Sequence, residues 1–220
     1  AIVTFLKGMW PRRILPGHCA QLGNAMARMH LAGDAFPLQR ENSLSVGAWR
    51  GLFDSCAARA PEGRDGLDTL LETEIGFLEA NWPSGLPSAV CPADLFPDNV
   101  FFLGDRLSGI SDFDFACNDF YAYDIAICLN AWCFERDGSF NVTKAQLMLS
   151  DYRKVRPLSD AELQALPILA RGSATRFLLT RLYDWLNHPE GAMVQPKDPL
   201  EYLGFLQFHQ QVTDPGAYGL

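Results

Sequence analysis

Residues 90–115, VCPADLFPDNVFFLGDRLSGISDFDF, carry the clearest structural pattern in the chain. Residues 100–103 and 107–111 are two short apolar runs, and Gly104, Asp105 and Arg106 between them have the composition of a turn. Two β-prone runs separated by a short glycine-containing turn are typical of a β-hairpin. Such a hairpin would bring Asp112, just after the second run, back beside Asn99, just before the first.

Three polar side chains in this stretch suit phosphoryl transfer. That reaction needs a carboxylate to orient the attacking hydroxyl and accept its proton, and oxygen ligands for the Mg²⁺ that neutralises the phosphates. Asp94 fits the first requirement, and Asn99 with Asp112 fits the second. Asp and Asn are also common turn residues because they bond their own backbone. The pattern therefore indicates a catalytic site, with ordinary turns as the alternative.

The spacing D-x-x-x-x-N, followed by a hairpin and D-F, resembles the catalytic loop and metal aspartate of protein-kinase-like phosphotransferases of the aminoglycoside and choline kinase branch. Longer motifs are more specific: ADLFPDNVFFLGDRLSG, DFxFACND, YDIAICLNAWCFE, GSFNVTKAQ and VRPLS. These resemble the homoserine kinase of the bacterial threonine pathway that has the aminoglycoside-phosphotransferase fold. The resemblance runs from about Ile2 to the C-terminal YGL.

The resemblance implies an α+β fold of the protein-kinase-like type, namely a mainly helical large, C-terminal lobe with a small catalytic β-hairpin. It implies ATP-dependent phosphorylation of the hydroxyl of L-homoserine to O-phospho-L-homoserine, with Mg²⁺. Asp94 would be the catalytic residue, and Asn99 and Asp112 the metal ligands. Asp124, in Y-D-I-A, would buttress the catalytic loop, although from the residues alone it could equally be an exposed acid at a helix start.

The resemblance also divides the chain. Residues 1–8 would be the hinge between lobes, where the carbonyl of Thr4 and the amide of Leu6 would contact adenine, and residues 9–220 would be the C-terminal catalytic lobe. A frayed terminus or an edge strand is the alternative for the first segment. Ala1 is not an initiator Met, so we expect the chain to be the rear portion of a longer protein whose N-terminal nucleotide-covering lobe is not included.

One position departs from the family pattern. Members usually carry a His two residues before the catalytic Asp, where it holds the loop, and this chain has Pro92 there. Two other functions stay open. One is a phosphotransferase of the same fold for another alcohol of the choline or aminoglycoside kind. The other is an inactive large-lobe module, which Pro92 and the expected lack of the N-terminal lobe favour. The carboxylate of homoserine needs a cationic contact, and the sequence does not locate it. The loop from Asp34 to Ser45 has Arg40, Asn42 and Leu44 in a pattern similar to that of the family and could border the acceptor pocket, although from the residues alone it is a polar connection.

Composition excludes other classes. The 220 residues are 48% hydrophobic, enough for a core, and the formal charge of −8 argues against nucleic-acid binding. No apolar run approaches the roughly 20 residues that span a bilayer, and the N-terminus lacks a signal pattern. We therefore expect a soluble cytoplasmic protein. Six cysteines form no C-x-x-C pair, which favours buried thiols over disulfides or zinc.

Helical patterns surround the hairpin. Pro16 should begin a helix and Gly33 should end it, with His30 in the last turn beside the negative end of the helix dipole. Ser159 and Glu162 have the spacing of a capping box, which predicts another helix start. We expect Pro167 to kink or restart that helix.

Overall fold

The computed structural model describes residues 5–57, 66–189, 191–193 and 195–220. These residues contain α-helices and four short strands, which confirms the predicted α+β class with mainly helical content. None of the helices in the described ranges is long and apolar enough to cross a membrane. The helices are α1 Pro16–Gly33, α2 Val46–Ala57, α3 Leu67–Asn81, α4 Tyr121–Cys133, α5 Val142–Arg153, α6 Asp160–Leu186 and α7 Leu200–Gln211; the strands are β1 Ser88–Cys91, β2 Val100–Leu103, β3 Arg106–Ile110 and β4 Cys117–Phe120.

The chain divides into two compact units. The first comprises Ala1–Asn42, Gly85–Leu166 and Asp214–Leu220, and the second comprises Ser43–Ser84 and Pro167–Thr213. All four strands and all the candidate site residues belong to the first unit.

The predicted hairpin is β2 and β3, paired antiparallel with Val100 opposite Ile110. Its turn needs a left-handed residue, and Gly104 supplies one with φ of 60°. A second antiparallel pair, β1 with β4, was not predicted; it sets Cys91 opposite Cys117. The β1–β4 pair holds together the two ends of the segment that runs from β1 to β4, and the β2–β3 hairpin lies within that segment.

Helix α4 forms the centre of the first unit. Every residue from Tyr121 to Asn130 is buried, as expected of a helix that is apolar on all faces. Helices α1 and α5 pack so closely at Gly23 that a side chain there would collide with the backbone of Met148. Helix α1 begins and ends at the predicted residues, Pro16 and Gly33. All six cysteines are buried and free, which confirms that prediction.

The second unit is built from α2, α3, α7 and most of α6. The Trp49 and Trp82 rings meet edge to face with centroids 5.2 Å apart, and Gly172 has no side chain because the Trp82 ring fills that space. Glu74, which is buried, pairs with Arg171. Pro167 lies inside α6 and does not restart it; buried residues flank it on both sides, so packing outweighs the local proline penalty.

Candidate active site

The loop after β1 holds Asp94 and Asn99 together. A short 3-10 helix, Pro97–Asn99, leads from this loop into β2. The side-chain amide nitrogen Nδ2 of Asn99 donates to the backbone carbonyl of Asp94 at 2.9 Å and to its carboxylate Oδ2 at 3.3 Å. Because a carbonyl oxygen can only accept, these bonds fix the amide orientation. The Oδ1 oxygen of Asn99 therefore points away from Asp94.

Asp112 follows β3 and lies beside the same loop. The backbone N–H of Ser111 donates to the carbonyl of Asn99 at 2.9 Å, so the hairpin returns the chain to Asn99 as the sequence predicted. Asp112 has φ of 61°, a left-handed conformation that is uncommon for a residue other than glycine. The side chain is exposed. Strained backbone of this kind clusters at functional sites.

The free oxygen atoms at this place suit a hard divalent cation. In the described part of the chain Asn99 Oδ1 has no hydrogen-bond partner, and the Asp112 carboxylate accepts only one long contact, 3.4 Å, from the N–H of Asp114. Amide and carboxylate oxygens are the ligands that Mg²⁺ and Ca²⁺ prefer, whereas zinc favours nitrogen and sulfur. The donor set fits the metal that phosphoryl transfer needs.

Asp124 on α4 anchors the loop from beneath. Its carboxylate Oδ1 accepts the backbone N–H of Ala93 at 2.8 Å, and its side chain is fully buried. Ala93, which directly precedes Asp94, also has a left-handed φ, of 57°. The structure thus puts Asp124 in direct contact with the loop and not at an exposed helix start.

Comparison with known proteins supplies the family. The phosphotransferase enzyme family matches residues 1–158. The chain belongs to this family. It is 61% identical to the homoserine kinase of Rhizobium johnstonii and 64% identical to that of Rhodospirillum rubrum, each over all 220 residues of this chain and 68% of the relative. These values confirm the resemblance seen in the sequence motifs.

Solved structures give the fold of this phosphotransferase. A choline kinase from Cryptosporidium parvum aligns with a TM-score of 0.66 at 16% identity, covering 94% of this chain and 68% of that one. The amicoumacin kinase hAmiN, solved with AMP-PNP and Ca²⁺, also aligns with a TM-score of 0.66 at 16% identity, covering 94% of this chain and 62% of that one. The predicted kinase-like fold is confirmed.

A buried chain of hydrogen bonds continues from Asp124 through the phosphotransferase. Asp124 Oδ2 lies 2.9 Å from Nε2 of His30, whose Nδ1 lies 2.7 Å from the hydroxyl of Tyr152. The Tyr152 hydroxyl is 3.5 Å from Arg156, which pairs with Glu162 at 2.8 Å. Burial is the main cause that raises the pKa of Tyr152, so its hydroxyl keeps its proton. Four helices, α1, α4, α5 and α6, and the turn after α5 are thereby connected to the loop that carries Asp94.

Sequence reasoning placed His30 only by its helix position and missed these partners. The signal was present: His30 follows Met26 by four residues and so lies on the apolar stripe of α1. A polar residue on a buried stripe needs a buried partner.

Cys91 lies next to this chain of bonds. Its Sγ, a ring nitrogen of His30 and a carboxylate oxygen of Asp124 all lie within 4.8 Å of one another, a geometry that could hold a metal ion. Each group already has hydrogen-bond partners, however, and Cys91 Sγ contacts the carbonyl of Asp119 at 3.5 Å. Burial first, and the Asp124 carboxylate second, raise the pKa of Cys91 well above its usual value. The cluster is satisfied as a network of hydrogen bonds around a protonated thiol.

The residues predicted to contact adenine are only partly described. Thr4 lies outside the described residues. The side chain of Leu6 packs over Gly109 on β3, where an added side chain would collide with it. Met9 and Phe102 exchange two backbone hydrogen bonds of 3.0 and 2.9 Å, and the segment borders a cavity of about 580 Å³. Leu6 thus lies on the hairpin that ends at Asn99 and Asp112.

Proposed function

We propose that this phosphotransferase is a homoserine kinase, which transfers the γ-phosphoryl group of ATP to the side-chain hydroxyl of L-homoserine. The observation that carries the proposal is the joint placement of Asp94, Asn99 and Asp112 on a loop and hairpin that Asp124 anchors. Similarity over the whole chain to proteins named homoserine kinase supports the choice of acceptor. The cytoplasmic location expected from the sequence stays a prediction.

In this proposal Asp94 orients the acceptor hydroxyl and takes its proton. The hydroxyl oxygen forms a bond to the γ-phosphorus while the bond from that phosphorus to the β-phosphate oxygen breaks, which releases ADP. The Asn99 amide, by donating to the Asp94 carboxylate, holds it in one orientation. Proton transfer by a positioned side chain contributes about 10²- to 10⁴-fold to the rate.

Asn99 Oδ1 and the Asp112 carboxylate would hold Mg²⁺. When bound, the metal would supply the positive charge that neutralises the phosphates in the transition state. The protein contributes the preset geometry, because the amide of Asn99 is already fixed and the hairpin fixes the position of Asp112. On the nucleotide side, the carbonyl of Thr4 and the amide of Leu6 would contact adenine.

The test is an ATP-dependent assay on the protein as its gene encodes it, with L-homoserine, choline and an aminoglycoside as acceptors. We expect ADP release and O-phospho-L-homoserine with homoserine alone. Asp94→Asn keeps the size of the side chain but removes the proton acceptor, so kcat should fall at least about 100-fold while the KM for homoserine changes little.

Turnover with choline or the aminoglycoside but not with homoserine would assign the chain to another alcohol. An inactive protein that still binds ATP would favour a non-catalytic module. Asp94→Asn protein with wild-type kcat would remove Asp94 from the proposed role.

A further inference from the structure

We propose that Arg40 binds the α-carboxylate of the acceptor amino acid, an inference that rests on the proposed function. Homoserine carries a carboxylate that choline and aminoglycosides lack, so a kinase that selects it needs a cation near the reacting hydroxyl. Arginine is the residue best suited to this, because its planar fork matches a carboxylate with two parallel hydrogen bonds.

The guanidinium of Arg40 is held against the segment that follows Asp112. Its Nη1 donates to the backbone carbonyl of Asp114 at 2.6 Å and to that of Ala116 at 3.4 Å. The backbone of Arg40 is fixed as well, since its N–H donates to Oδ1 of Asn118 and its carbonyl accepts the N–H of Asn118, both at 2.7 Å. The side chain is therefore preorganised before any substrate arrives.

These contacts leave one edge of the guanidinium available. Both Nη1 hydrogens are used by backbone carbonyls, whereas Nε and Nη2 of Arg40 have no hydrogen-bond partner among the residues that the structure describes. The side chain is exposed. The edge formed by Nε and one Nη is the one that arginine presents to carboxylates in bidentate pairs. A guanidinium that is held in place, with Nε and Nη2 available as donors, can form two parallel hydrogen bonds with an acceptor carboxylate.

Arg40 lies near the end of β1 from which the chain continues toward Asp94. Strand β4 pairs with β1 on one side, and residues 40 and 41 lie along its other side. The backbone at residues 40 and 41 is therefore about two strand spacings, roughly 10 Å, from the backbone of β1.

Three other cations of this unit are paired or lie at the far end of the hairpin. Arg156 pairs with Glu162, and Lys144 pairs with Glu135 at 2.6 Å. Arg106 begins β3, at the end of the hairpin opposite Asp112. Arg40, in contrast, contacts the segment that follows Asp112.

A competing role must be separated from this one. Because Arg40 contacts the segment after Asp112, its loss could disturb the metal ligand and slow the transfer to every acceptor. Carboxylate recognition predicts instead a loss confined to acceptors that carry the carboxylate. The ratio of kcat/KM for two acceptors that differ only in that group distinguishes the two roles.

The acceptors are L-homoserine and 3-aminopropan-1-ol, which is homoserine without its carboxylate. We compare the wild-type protein, as its gene encodes it, with Arg40→Met, Arg40→Lys and the control Arg28→Met, an exposed arginine on α1. Arg40→Met should lower the ratio of kcat/KM for homoserine over 3-aminopropan-1-ol by about 10- to 100-fold, the size of a charge-assisted pair. The ratio for Arg40→Lys should lie between those of the wild-type protein and Arg40→Met, and Arg28→Met should keep the wild-type ratio. The KM for ATP should not change in any variant.

If turnover of 3-aminopropan-1-ol is too slow to measure, L-2-aminobutanoate replaces it as an inhibitor competitive with homoserine. It keeps the carboxylate and lacks the hydroxyl, so its Ki should rise about 10- to 100-fold in Arg40→Met. A fall in kcat/KM that is equal for both acceptors, or an unchanged Ki, would overturn the inference and make Arg40 a positioning residue for the Asp112 segment. A wild-type protein that phosphorylates other alcohols but not homoserine would instead overturn the proposed function.

Discussion

Replacing Asp124 by Asn should separate the anchoring of the catalytic loop from the stability of the core. The carboxylate accepts the N–H of Ala93 at 2.8 Å and pairs with His30 at 2.9 Å, and both Asp124 and His30 are fully buried. An amide can still accept one of these bonds but carries no charge. We expect the free energy of unfolding to fall by about 1 to 3 kcal/mol, the cost of one weakened buried contact.

The effect on activity should exceed what this loss of stability explains. Ala93 keeps a left-handed φ of 57°, which costs a non-glycine residue about 1 to 2 kcal/mol, and its bond to Asp124 opposes relaxation. If that bond weakens, Asp94 moves with the loop. A displacement near 1 Å costs up to about 100-fold in rate, so kcat should fall about 10- to 100-fold while both KM values stay within a few-fold.

The measurement combines urea denaturation with steady-state kinetics. Asp124→Ala removes both acceptors and should cost about 3 to 5 kcal/mol, so its failure to fold would be uninformative about catalysis; Asn is the decisive variant. Tyr152→Phe, which removes only the hydroxyl beyond His30, should cost about 0.5 to 1.5 kcal/mol. Asp151→Asn, in a surface pair with Lys154, is the matched control. Wild-type kcat in a folded Asp124→Asn protein would refute the anchoring role.

Three further predictions follow from the same contacts. In Asp112→Asn, asparagine tolerates the left-handed backbone but lacks the negative charge, so kcat should fall at least about 100-fold and half-maximal activity should need more Mg²⁺. The control Asp105→Asn, at the hairpin tip, should change neither value. Unchanged metal dependence in Asp112→Asn would contradict a role of Asp112 as a metal ligand. Pro92→His should not raise kcat, because Asp124 already holds the adjacent Ala93; a gain would show that the loop is loose. Burial lowers the pKa of His209 to about 3, so between about pH 6.5 and pH 3 the unfolded chain binds a proton at this histidine and the folded chain does not. The free energy of unfolding therefore falls as the pH falls through this range, by at most about 1.4 kcal/mol per pH unit from this group. His209→Gln should make that fall less steep, and an unchanged slope would count against a neutral buried His209.

Local signals predicted the local parts of the fold. Helix α1 begins and ends where Pro16 and Gly33 indicate, and Glu162 and Ser159 form the predicted reciprocal caps. The pairing of β1 with β4 was beyond such signals, because it joins residues 26 or more positions apart and has no turn of its own. Pro167 shows the limit of a local rule: we expected it to kink or restart the helix, and α6 continues through it without a restart, with buried residues on both sides.

In the candidate site as well, contacts between residues close in sequence could be predicted and contacts between distant residues could not. Asp94, Asn99 and Asp112 could be grouped from sequence because a single hairpin joins them. The Arg40 contacts join residues more than 70 positions apart, and those of His30 with Asp124 span 94 positions. No periodicity encodes pairings of that length. The sequence motif contains the groups that we propose to react, whereas only the tertiary fold shows which residues hold them in place.

Two buried polar residues nevertheless carried a usable signal. His30 lies on the apolar stripe of α1, and Asp124 lies within the apolar run of α4. Each would be costly to bury alone, and opposite polarity makes each the natural partner of the other. Once they pair, Asp124 has one oxygen left, and it accepts the N–H of Ala93. Asp124 thus holds the backbone between Pro92 and Asp94, so we infer that an ordered Asp94 does not require a histidine at position 92.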